Sequence, residues 1–174
     1  GTLGKWAFGS LRYLPDGSEN PDFILNREPY RGAEILVTGP NFGCGSSREG
    51  AVWALQEMGI RAIIGSGFGD IFFANCFQNG ILPIVVDKQV VAALAADIEA
   101  TQGAGRVGID LEAQTIVSPS GRQHAFEIDP RRREGLLLGP DEVALTLQRD
   151  SEIRAFQSND RAARPWIHSI PRPA

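Results

Sequence analysis

Ile35-Leu36-Val37-Thr38-Gly39-Pro40-Asn41-Phe42-Gly43-Cys44-Gly45-Ser46-Ser47-Arg48-Glu49 is the stretch that decides how this chain folds. Its first four residues are apolar or β-branched and stop at Gly39-Pro40, the pattern of a short buried strand. A glycine-bearing loop, 41–45, comes next. Ser46-Ser47-Arg48-Glu49 then opens a helix expected to run to about Met58, with Ala51, Ala54, Leu55 and Met58 as its apolar stripe and Gly59 as its stop.

Working outward, the same unit repeats. Arg61-Ala62-Ile63-Ile64 reads as a second strand, and Ser66-Gly67-Phe68-Gly69 as its loop. Asp70 is placed to cap a helix over 71–79, with Gly80 at its end. Ile81-Leu82-Pro83-Ile84-Val85-Val86 gives a third strand, whose internal proline predicts an edge position or a bulge. Residues 88–101 carry Val90, Val91, Leu94, Ala95 and Ile98 on one helical face. Strand–helix–strand–helix–strand with short connections predicts an α/β fold with a mainly parallel sheet and right-handed crossovers.

Beyond Gly103 the period changes. Val107, Ile109 and Leu111 alternate, as do Thr115 and Val117, and less cleanly Ala125 and Ile128, around Pro119-Ser120-Gly121. This predicts an antiparallel hairpin. Residues 130–138 and 141–157 read as helical, separated by Gly139-Pro140, and 158–174 as a loose or partner-docking tail. The expected organisation is one domain over 1–157 followed by that tail. Residues 1–31 carry turn signals at Pro15-Asp16-Gly17-Ser18 and Asn20-Pro21. The opening Gly1-Thr2-Leu3-Gly4 has no Met and reads as the middle of a longer chain.

Composition narrows the function. A chain of 174 residues with 43% hydrophobic content buries roughly 70% of its unfolded surface, enough for its own core. A net charge of −4 argues against nucleic-acid binding, which needs a concentrated basic field. The run Arg131-Arg132-Arg133 beside Asp129 and Glu134 reads as a solvated or ion-paired face. No apolar run approaches the ~20 residues of a membrane span. The two cysteines, Cys44 and Cys76, match no zinc spacing, and a [4Fe–4S] cluster takes three or four thiolates, so no cofactor is expected in this chain. With no signal peptide, the expectation is a cytoplasmic protein with free thiols. His124 and His168 have no partner pattern, and Trp6, Trp53 and Trp166 read as packing or interface residues.

The loop after the first strand is the natural place for chemistry, because ligands of open α/β sheets bind at the carboxyl ends of strands. Free N–H groups and a helix dipole favour an anion there. Gly43, Cys44 and Gly45 would let backbone approach a substrate, and Arg48 can grip a carboxylate through two parallel hydrogen bonds. Ser46 and Ser47 offer hydroxyls to bind oxygen or to move a proton. The spacing also fits a plain capping box, Ser46-x-x-Glu49, and both readings stand at this point. The loop is not a Walker A motif, a full GxGxxG or a Gly-x-Ser-x-Gly elbow, so nucleotide binding and serine hydrolysis are not supported.

The segment 41–49 followed by Trp53-Ala54-Leu55 resembles the signature of isopropylmalate isomerase (3-isopropylmalate dehydratase) small subunits, in the aconitase superfamily. Phe68-Gly69-Asp70-Ile71-Phe72, Asn75, Asn79-Gly80 and Leu82-Pro83 are similar to the family's second signature. Pro21-Asp22-Phe23-Ile24-Leu25-Asn26 and Ala144-Leu145-Thr146-Leu147 extend the likeness over about residues 1–157. The resemblance implies a three-layer β/β/α swivelling domain. It implies a cluster-bearing large subunit as partner, in a heterodimer or heterotetramer, that supplies three Cys ligands to a [4Fe–4S] cluster. It implies hydro-lyase chemistry on a small hydroxy-diacid, in leucine biosynthesis. By position Ser46 matches the family's base, Ser47 the serine that binds substrate or steadies the base, and Arg48 the carboxylate-binding arginine.

The resemblance departs at Gly50, where the family usually has His, and the family's upstream Asp-Thr-Asp-x-Ile-Ile-Pro segment does not occur in residues 1–174. A related hydro-lyase acting on dimethylmalate, citramalate or homoaconitate, and a non-catalytic dicarboxylate-binding module, are the alternatives.

Overall fold

The computed structural model describes residues 3–45, 48–139, 146–147 and 149–168. The chain divides into two compact units, Gly1–Pro140 and Asp141–Ala174.

The first unit is organised by a parallel sheet. Strands β1 (Ile35–Thr38), β2 (Ala62–Gly65) and β3 (Leu82–Val85) lie in the order β1-β2-β3, with Leu36, Ile63 and Pro83 in register across it. β3 lies at the sheet's edge, the position that its internal proline predicts. Parallel strands covered on both faces read as unbroken apolar runs, which is why all three are legible in the sequence.

A short helix, α1 (Gly9–Arg12), precedes the sheet. Helices α2 (Gly50–Glu57) and α3 (Asp70–Gln78) are the two crossovers. Val52, Ala54 and Leu55 of α2 and Phe72 and Cys76 of α3 share one core with Leu36 and Ile63. The opposite face carries a second core. There Leu94 of α4 (Lys88–Ala100) meets Ala62, Ile64, Leu82 and Ile84, together with Ile116 and Phe126. Ile116 belongs to an antiparallel sheet of β4 (Gly108–Asp110), β5 (Thr115–Val117) and β6 (Gln123–Ala125). The parallel sheet is thus packed between helices on one side and α4 with a second sheet on the other.

Three local expectations are corrected. The hairpin is a three-stranded meander, because Gln123-His124-Ala125 pairs with β5 while burying little apolar surface of its own. Helix α2 starts at Gly50 rather than Ser46, and Glu49 sits at the flanking cap position with no side-chain cap bond. A capping box needs its Glu in the first turn, so Ser46-x-x-Glu49 is not one. Asp70 is the first residue of α3, not its cap; Gly69 holds that position, and no side chain caps it. The strongest caps are elsewhere. Asp87 accepts from the Gln89 N–H at 2.8 Å, and Asp129 from Arg131 and Arg132 at 3.0 and 3.2 Å, opening α5 (Pro130–Leu138). Within the arginine run, Arg132 does not simply face water. Its guanidinium lies over the rings of Phe73 and Phe77 at 5.1 and 4.7 Å and ties α5 to α3.

A carboxylate joins α4 to the second sheet. Ser120 Oγ donates to Asp97 at 2.6 Å, the Arg122 guanidinium donates to its other oxygen, and Ser118 Oγ lies 2.9 Å from Ser120 Oγ. The Ser120 hydroxyl, then Arg122 and Ser118, hold the Asp97 carboxyl down at about 2. A depressed carboxyl stabilises the fold above its unfolded value and loses that contribution as pH falls through the folded one. Asp97→Asn is therefore expected to lower the urea midpoint at pH 7, with the gap to wild type closing between about pH 4 and pH 2. A gap independent of pH would refute the assignment.

In the second unit α6 (Asp150–Ala163) is followed by the short helix α7 (Pro165–His168). The helix runs past the expected end at 157. Asp150 and Glu152 in its first turn and Arg161 in its last suit the helix dipole, and the first proline comes only at Pro165. Residues 141–145 of the expected helix lie outside the described residues.

Candidate functional site

The loops that leave β1 and β2 run side by side at the carboxyl end of the parallel sheet. Phe42 N–H donates to the Gly67 carbonyl at 3.1 Å and Gly69 N–H donates to the Phe42 carbonyl at 2.9 Å, a one-residue parallel bridge between Phe42 and Phe68. Below it Phe72 is almost fully buried, its ring 5.5 Å from that of Phe42 and 6.4 Å from that of Phe68. The chain then turns at Asn41 and Gly43, both in the left-handed region, with Cys44 N–H donating to the Asn41 carbonyl at 3.1 Å.

That turn presents Cys44 and Gly45 to solvent, with Gly43 half-buried behind them. Of the expected site residues, Gly43, Cys44 and Gly45 are thus brought to one rim, and Arg48 is exposed three residues farther along the chain. Ser46 and Ser47, between Gly45 and Arg48, lie outside the described residues. A cavity of about 440 Å³ opens beside the rim, walled by Trp6, Phe8, Gly43, Gly45, Gly50 and Phe72 among others. A Cβ at Gly50 would meet nothing within 4 Å, so the backbone accepts a side chain there.

The two thiols differ sharply. Cys44 is exposed, whereas Cys76 is fully buried and burial pushes its thiol up to about 12. Alkylation of the native chain with iodoacetamide at pH 8 is expected to add one adduct, on Cys44, and to leave Cys76 unmodified until the protein is unfolded. Peptide mass spectrometry checks this, and native labelling of Cys76 would contradict the described core. Both cysteines are free, and among the described residues no three His, Cys, Asp or Glu side chains gather into a group that could hold a metal ion. The two thiols of this chain do not fit an iron–sulfur cluster. No described helix is long and apolar enough to cross a membrane.

Sequence reasoning missed what holds the loop. Gly67, Gly69 and Phe72 do so, and their signal was the glycine-rich second motif itself. Trp53 and Asn79, one in each motif, are joined directly: the indole N–H donates to Asn79 Oδ1 at 2.8 Å, and the Gln56 amide donates to the Asn79 carbonyl.

Family models match along the chain: the aconitase C-terminal domain over residues 2–89, a model described as LeuD_N over 92–130, and the C-terminal domain of the 3-isopropylmalate dehydratase small subunit over 142–168. The 3-isopropylmalate dehydratase small subunit of Gluconacetobacter diazotrophicus is 52% identical, across 94% of this chain and 79% of its own length. That of Granulibacter bethesdensis is 51% identical, across 99% of this chain and 82% of its own. Among solved structures, the 3-isopropylmalate dehydratase of Methanocaldococcus jannaschii is 30% identical, with a TM-score of 0.54 over 77% of this chain and 75% of that one.

Proposed function

The chain belongs to the 3-isopropylmalate dehydratase small subunits, built on the aconitase C-terminal domain, and from that premise we propose that it joins a separate large subunit to interconvert 2-isopropylmalate and 3-isopropylmalate. The observation that carries this reading is identity near 50% along nearly the whole chain to proteins of that name. The rim at the carboxyl end of the sheet supports it, because that is where an α/β fold offers its backbone N–H groups to an anion.

The reaction removes water and adds it back with the hydroxyl on the neighbouring carbon. A proton leaves the carbon beside a carboxylate, and the C–O bond on the next carbon breaks with its electron pair on oxygen. The departing hydroxide takes up a proton from solvent to become water, while the base later returns its own proton to solvent. Ser46 takes that proton in this reading, Ser47 holds a substrate oxygen or steadies Ser46, and Arg48 binds a substrate carboxylate through two N–H groups. The backbone of Gly43, Cys44 and Gly45 lies against the substrate. Negative charge builds as the proton leaves, and a guanidinium with aligned N–H groups stabilises it where it develops. A serine alkoxide needs a dry, positively polarised site, so closure by the large subunit is part of the mechanism.

The [4Fe–4S] cluster belongs to the large subunit, where it supplies Lewis acidity toward the substrate hydroxyl. The thiol inventory of this chain supports that placement. A reducing cytoplasmic setting and a heterodimer or heterotetramer complete the proposal.

The test is anaerobic co-expression with the large subunit, following ultraviolet absorbance of the alkene with 3-isopropylmalate, dimethylmalate, citramalate and homocitrate-type acids. Turnover in the mixture alone, fastest on 3-isopropylmalate, is expected. Faster turnover of another acid would move the substrate, and a stable complex that turns over none of them would overturn the reading.

A further inference from the structure

The loop that carries the proposed chemistry is held from outside as well as by its own turn. A Cβ at Gly43 would lie 2.2 Å from Phe72 Cγ and 2.7 Å from Phe72 Cβ, so the backbone there rests directly on α3. Gly43 also has φ +76, which glycine adopts without strain. From the other side, a Cβ at Gly69 would lie 2.8 Å from Cys44 Cα, 3.0 Å from Cys44 N and 3.1 Å from the Gly43 carbonyl oxygen. These are backbone atoms, which cannot swing aside as the end of a side chain can. The two hydrogen bonds of Phe42, to Gly67 and from Gly69, fix the height of the same segment.

We infer that Gly69 and Phe72 are positioning residues of the reaction: they set where Gly43 and Cys44 stand in the loop, and so set turnover without touching substrate. This rests on the reading of the loop as the catalytic element. The second motif is then a brace for the first. The chain can move at Cys44 only if it separates from Gly69, breaks the Phe42 bridge or leaves the Phe72 ring. Rate depends steeply on such placement, and a shift of about 1 Å can cost about 100-fold. A Cβ at Gly69 forces Cys44 or Gly69 to give way by some tenths of an ångström, because the atoms it meets are backbone. Replacing Phe72 with Leu removes ring support from beneath Gly43 while keeping a buried apolar side chain.

The experiment compares wild type, Gly69→Ala, Phe72→Leu and, as a control for general loss of stability, Ile116→Val in the second sheet, each co-expressed with the large subunit. In Gly69→Ala and Phe72→Leu, turnover at saturating substrate is expected to fall by about 10-fold or more, with KM within about threefold and the yield of complex near wild type. Ile116→Val keeps its turnover. The rate of Cys44 alkylation in the isolated chain is a second, activity-independent readout and is expected to shift by about threefold or more in both loop variants. Unchanged turnover and unchanged alkylation would overturn the inference, as would a fall in turnover that only tracks the yield of complex. Should Gly69→Ala not fold, Phe72→Leu decides alone. If the wild-type mixture shows no turnover, the proposed function is what has failed, and the alkylation rates still decide whether the brace positions the loop.

Discussion

Ser46→Ala is expected to slow turnover by the reconstituted enzyme about 10²- to 10⁴-fold while KM changes by no more than a few-fold. The asymmetry follows from the proposed division of labour. In that proposal Arg48 and the glycine backbone hold the diacid in both ground and transition state, whereas the Ser46 oxygen acts only when the proton moves. An interaction made only in the transition state appears in kcat when it is removed. A spacer or a helix cap at this position would give a different result. Helix α2 begins at Gly50, and the flanking cap position belongs to Glu49. Steady-state kinetics with saturating 3-isopropylmalate, together with the yield of complex, separate the cases. Turnover within about threefold of wild type would remove Ser46 from the mechanism.

The largest effect on stability is expected at Ile63→Ala, a loss of about 2–5 kcal/mol. Ile63 is fully buried in the central strand β2, paired in register with Leu36 and Pro83, and packed in the core that α2 and α3 share. With a strand on either side and helices above, the cavity cannot collapse, so both the transfer and the cavity contributions are lost. A domain of this size has about 5–15 kcal/mol in total, which makes the change large enough to read from a single urea titration. A loss below about 1 kcal/mol would mean that the described packing around β2 is wrong.

The framework of the fold could be read from the sequence because its signals are local. Ile35-Leu36-Val37-Thr38 and its two successors are unbroken apolar runs, as strands covered on both faces must be. Gly59 and Gly80, both in the left-handed region, mark the ends of the two crossover helices. Proline inside β3 places that strand at the edge. Sequence reasoning fails where a distant contact outweighs a local preference. The capping pattern at Ser46 rests on spacing, yet the loop is bound to Gly67 and Gly69 and the helix starts only after it. Asp70 has a good capping side chain, but the cap position goes to Gly69 because Cys44 backbone leaves no room for a Cβ. β6 reads only faintly, and with blurred bounds, because Gln123-His124-Ala125 carries almost no apolar alternation. The candidate rim and the residues beneath it are each legible as a motif, but that the second braces the first is not. What a glycine is for depends on what stands opposite it, and no window around Gly69 contains Cys44.

Along β2 the side chains divide between two interiors: Ile63 serves the core under α2 and α3, and Ala62 and Ile64 serve the one under α4 and the second sheet. A strand shared in this way is intolerant of changes in length. Deleting one codon beside it would turn every residue over and offer each interior the side chains cut for the other. Substitution can explore these positions one atom group at a time, but insertion and deletion cannot. Growth and shrinkage of the gene are left to places such as the exposed turn at Gly17, where a Cβ meets nothing and no interior is shared.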